Sequence, residues 1–93
     1  MTEHEITILQ IPLYALYYLD NIEDARATRE GLEHFRGQYD EATFDKIVNG
    51  LEWACNNPTY PFVSLLPNTR FSNEEAYGYL VKLRQAIQEH LNR

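Results

Sequence analysis

Glycine and proline occupy eight positions of this chain, 12, 31, 37, 50, 58, 61, 67 and 78, and the stretches between them repeat apolar residues at spacings of three and four. That combination leaves few architectures open. Gly and Pro are the strongest interrupters of regular backbone, and a three-four spacing marks a helix with one buried stripe. The expected fold is all-α: a small four- to five-helix bundle, with a proline-rich apolar lid between the last two helices.

The last helix is the best marked. Ser72-Asn73-Glu74-Glu75 reads as a capping box, in which the Ser72 hydroxyl and the Glu75 carboxylate each satisfy an otherwise orphan backbone N–H. Ala76, Leu80, Leu83, Ile87 and Leu91 supply its stripe, with Lys82, Gln85 and Glu89 on the far side. A middle helix over about 41–56 starts at Asp40 and buries Phe44, Ile47, Val48, Leu51, Ala54 and Cys55. Gly50 inside it costs about 1 kcal/mol against alanine, which points to close packing of another element there. A helix over about 22–36 is capped by Asn21 and ended by Gly37. Its face of Ile22, Ala25, Leu32 and Phe35 is thin, and Arg26–Glu30 and Arg29–Glu33 pair along its surface.

The N-terminus admits two readings. Thr2 and Glu5 fit a capping box, and Ile6, Leu9, Leu13 and Leu16 a helical stripe that must kink or restart at Pro12. Alternatively, residues 5–11 form a strand followed by a helix from Leu13 to Leu19. No second strand offers a pairing edge, which weighs for helix. Residues 57–71 hold three prolines yet carry Tyr60, Phe62, Val63, Leu65, Leu66 and Phe71. They read as an extended lid with a helical turn at 62–66.

Ninety-three residues make one helical domain, 1–93, large enough to hide roughly 60–65% of its unfolded surface. A single cysteine, Cys55, excludes an intrachain disulfide and favours a reducing cytoplasm. The acidic start Met1-Thr2-Glu3-His4-Glu5 does not resemble a signal peptide, and the apolar run at 6–19 is short of the ~20 residues a membrane span needs.

Charge is lopsided. Residues 1–57 hold 11 Asp+Glu and 4 Lys+Arg, a net of −7, and residues 58–93 hold 3 and 4, a net of +1, giving −6 overall. An acidic chain is a poor direct ligand for phosphate backbones and attracts basic partners.

Motifs for chemistry are absent or weak. His4, His34 and His90 lack a metal-ligand spacing; Glu30 and His34 share a face but make only half a zinc site. Cys55 lies on the buried face, where desolvation quiets a thiol. Paired carboxylates at 23/24, 40/41 and 74/75 all fall at helix starts, where the dipole accounts for them. The expectation is therefore a protein that is not an enzyme and carries no metal or cofactor.

One constellation stands out. At about 100° per residue, Glu41, Asp45 and Glu52 line one flank of the middle helix. Asn49 and Asn56 lie between that flank and Trp53, opposite the core. A Trp anchor within an acidic rim suits a basic protein partner. The competing reading covers Trp53 with Tyr60-Pro61-Phe62. The leading expectation is a cytoplasmic, immunity- or antitoxin-type inhibitor, bacterial or phage, that neutralises a basic toxin such as a nuclease. The alternative is a homo-oligomer or accessory subunit that buries the lid and Tyr14, Tyr17 and Tyr18 against a second copy.

Overall fold

The computed structural model describes residues 2–21 and 28–92, apart from the side chains of Glu3 and His4. Those residues form helices α1 (Glu3–Ile6), α2 (Gln10–Leu13), α3 (Arg29–Gly37), α4 (Glu41–Cys55) and α5 (Asn73–Leu91), with no strand among them. The fold is all-α, as the spacing predicts, and no described helix is long and apolar enough to cross a membrane.

The N-terminal segment is helical throughout, so the strand reading for 5–11 fails. It is not one helix, however. The α-turns α1 and α2 alternate with 3-10 turns at Thr7–Leu9 and Tyr14–Tyr18. Pro12 explains the restart: as the third residue of α2 it stands where a backbone N–H has no intrahelical acceptor to lose. The Thr2 capping box forms, with the Glu5 N–H donating to Thr2 Oγ1 at 3.2 Å.

Helix α3 starts later than expected. Thr28 is extended (φ −86°, ψ 158°), and its side chain accepts from the Gly31 N–H at 3.0 Å. Thr28 is thus the cap of the described helix. The expected first turns after Asn21, with Ile22, Ala25 and Arg26, fall on residues outside those described. The Arg29–Glu33 pair forms at 3.2 Å. Gly37 stays helical with a negative φ, and the helix closes on Gln38, whose N–H donates to Phe35 O at 3.2 Å.

Helices α4 and α5 pack together at the centre, α3 lies on α5, and the N-terminal segment lies on α4. Ile6, Leu9, Leu13, Leu16, Phe44, Ile47, Leu51, Ala54, Leu80 and Ile87 are all buried between them. Gly50 lets this happen: a Cβ built there would stand 2.9 Å from Ile8 Cγ2 and 3.2 Å from Leu9 Cδ2.

The lid is held from both ends of the fold. Its helical turn is a 3-10 turn, Phe62–Leu65, that buries Phe62 and Leu65. Asn73 at the start of α5 accepts from the Val63 N–H at 3.0 Å and donates to Tyr60 O at 2.9 Å. From the N-terminal segment, Gln10 Nε2 donates to Leu65 O at 3.3 Å and Tyr17 Oη to Pro67 O at 2.8 Å. The Asn73 and Gln10 bonds satisfy backbone groups that the apolar lid partly buries, and the Tyr17 bond is exposed.

Tyr79 ties α5 to α2. Its mostly buried hydroxyl donates to Pro12 O at 2.9 Å, and burial pushes the phenol from its ordinary 10.0 up to about 12. An acid whose proton is held more tightly when folded supports the fold until the unfolded form begins to ionise. Stability should therefore fall as pH rises from 10 to about 12, by about 2–3 kcal/mol from this group. Tyr79→Phe should remove that component from alkaline denaturation curves and cost about 1 kcal/mol near neutral pH, through the lost hydrogen bond.

Candidate functional site

Asp40 sets the phase of α4. Its carboxylate accepts from the Thr43 N–H at 2.8 Å. That bonding to Thr43, together with the Lys46 charge, holds the Asp40 carboxyl below its ordinary value against slight desolvation. From this start the buried residues Phe44, Ile47, Val48, Gly50, Leu51 and Ala54 face the bundle. Glu41, Asp45, Asn49, Glu52 and Asn56 are all exposed. Five of the six residues singled out from sequence therefore stand in solvent on one helix, within a sector of about 80°.

The acidic flank has neighbours that its own helix does not reveal. Arg36, from α3, approaches Glu41 at 3.9 Å, and Arg84, from α5, approaches Glu52 at 3.9 Å. Glu41 and Glu52 remain 76% and 61% exposed, so these pairs are worth at most about 1 kcal/mol and yield readily to a competing cation. Asn56 Nδ2 donates to Glu52 O at 3.1 Å and fixes the end of the face.

Of the two readings of Trp53, the one that covers it with Tyr60-Pro61-Phe62 holds. Trp53 is half-buried, with its ring 5.3 Å from that of Tyr60 and 6.5 Å from that of Phe62. The reason is the lid. A helical projection marks only the faces one helix turns to the bundle, whereas residues 60–62 fold back over the flank of α4. Phe62 also stacks on Tyr77, at 6.0 Å. The indole belongs to an aromatic cluster and offers a partner only part of its surface.

Cys55 is half-buried rather than enclosed. Desolvation pushes its thiol up, against the pull of the Arg84 charge, so the thiolate is disfavoured. Among the described residues, no group of three His, Cys, Asp or Glu side chains is placed to hold a metal ion.

Two further surfaces were less legible. A groove of about 630 Å³ runs between the N-terminal segment, α3 and α5, lined by apolar Leu32, Phe35 and Leu83 and by polar Lys82, Glu89 and His90. Its charges are of both signs, unlike the α4 face. Tyr14, Tyr17 and Tyr18 point outward from the second 3-10 turn at 47%, 44% and 89% exposure. The sequence groups these tyrosines, but the 3-10 winding keeps Tyr14 and Tyr17 on one face and turns Tyr18 to the next. No family model, curated protein or solved structure shows a significant match to this chain.

Proposed function

We propose that this chain is a small acidic binding protein, not an enzyme, that captures a basic macromolecule on the outward face of α4. In its concrete form it is a cytoplasmic immunity- or antitoxin-type inhibitor that neutralises a basic toxin such as a nuclease. One observation carries the reading: Glu41, Asp45 and Glu52 stand exposed in a row, flanked by Asn49 and Asn56. Carboxylates so arranged attract Lys and Arg side chains that would otherwise meet phosphate, and they accelerate encounter. Trp53, beside the row, adds the exposed edge of an aromatic ring.

The test is co-expression with the products of the flanking genes, followed by calorimetry on any captured basic protein. Affinity should fall with added salt, since exposed charges are screened within about 10 Å at 0.1 M. Asp45→Lys/Glu52→Lys should weaken binding at least roughly tenfold, while the fold survives with a melting temperature lower by about 10 °C at most, since both side chains are exposed and the Glu52–Arg84 pair is weak. Affinity that is flat across ionic strength, or unaffected by the double reversal, would remove α4 as the docking face.

A further inference from the structure

Residues 6–19 and 53–69 contain no Asp, Glu, Lys, Arg or His. The fold brings these two neutral stretches together: Gln10 meets Leu65 O and Tyr17 meets Pro67 O. Exposed Tyr14, Tyr17, Tyr18, Ser64, Pro67 and Asn68 all come from them. The first charged residue after each stretch is Asp20 and Arg70 respectively, and these two pair with each other at 3.3 Å while remaining 95% and 63% exposed. In a chain of net charge −6, Tyr14, Tyr17 and the lid form an uncharged aromatic surface among the described residues, with the Asp20–Arg70 pair at its edge.

We infer that this surface docks a second copy of the chain as a twofold dimer. Charge decides the occupant. Two copies of an acidic protein repel wherever their acidic surfaces meet, so association is least opposed where both partners are neutral. A basic partner gains little from a face whose edge carboxylate, Asp20, is already balanced by Arg70. A twofold contact must be complementary to itself. Here Asp20 of one copy can reach Arg70 of the other and Arg70 the other's Asp20, while tyrosine meets tyrosine between them. Depletion of charge and enrichment in tyrosine are what interface centres show. The rings are also held before contact: Tyr14 stacks on Tyr17 at 6.1 Å, and Tyr17 is fixed by Pro67 O. Less side-chain freedom then remains to be lost on docking.

Sedimentation equilibrium up to about 0.5 mM, a range that resolves even millimolar association, tests this on the full chain. Wild type should self-associate to a dimer that persists in high salt. Tyr14→Arg, at a position 47% exposed, should leave the fold intact and raise the dimer dissociation constant about tenfold or more. Asp20→Arg and Arg70→Asp should each weaken the dimer, and the double exchange should restore it. A monomer at every concentration, or a dimer indifferent to Tyr14→Arg, overturns the inference. So does a monomeric chain that instead binds phosphatidylcholine vesicles in a Tyr14-dependent way. Neither result bears on capture of a basic partner by α4, which the salt dependence reports separately.

Discussion

Phe62→Ala should destabilise the protein by about 3–5 kcal/mol, a third or more of what a domain of this size commonly possesses. Phe62 is fully buried, and its ring is shared among Trp53, Tyr60 and Tyr77 at 5.2–6.5 Å. Truncation would leave a cavity bounded by large rings, which cannot collapse as aliphatic chains do, so the loss belongs at the upper end of the range. The sole tryptophan makes the outcome readable. Under native conditions, emission from Trp53 should shift to the red as its cover loosens, and urea denaturation should show a lower midpoint. A loss below about 1 kcal/mol with unchanged emission would mean that the lid does not pack as described.

Glycine substitutions within two helices should act in opposite directions. Gly50→Val should destabilise by about 2 kcal/mol or more, because even its Cβ would crowd the branched Ile8 side chain and the body of Leu9. The helix-propensity gain of about 1 kcal/mol available to Gly50→Ala is opposed by the same crowding. At Gly78, in the middle of α5, a Cβ meets nothing within 4 Å. Gly78→Ala should therefore stabilise by about 0.5–1 kcal/mol. Thermal melts of the two variants would compare them directly. If both shift the same way, the N-terminal segment does not rest on Gly50.

These cases show how far the residues themselves carry the fold. Features decided within one helical turn were legible: the Asp40 cap, the Ser72–Glu75 box, the Thr2–Glu5 box and the stripes of α4 and α5 all form. The close approach at Gly50 was legible too, since a helix-weakening residue on a clear helix implies a compensating contact. What escaped were contacts between elements distant in sequence. The cover of Trp53 by residues 60–62 was legible only as one of two readings, and nothing in Asn73 distinguishes a helix-start residue from a clamp on two lid backbone groups. The sequence does not pick out Thr28 as a cap, because its side chain is no better suited to the role than those of many other residues, and the first turns expected after Asn21 fall outside the described residues. For the candidate site, the exposure of the carboxylates followed from helix phase. Their pairing with Arg36 and Arg84 did not, because those arginines arrive from other helices.

The two Asn73 contacts couple events that would otherwise be independent. Fraying at the first turn of α5 withdraws a donor from Tyr60 O and an acceptor from the Val63 N–H simultaneously. The lid and the beginning of the last helix should therefore open as one cooperative unit, and amide protons in the two segments should exchange with a common opening free energy.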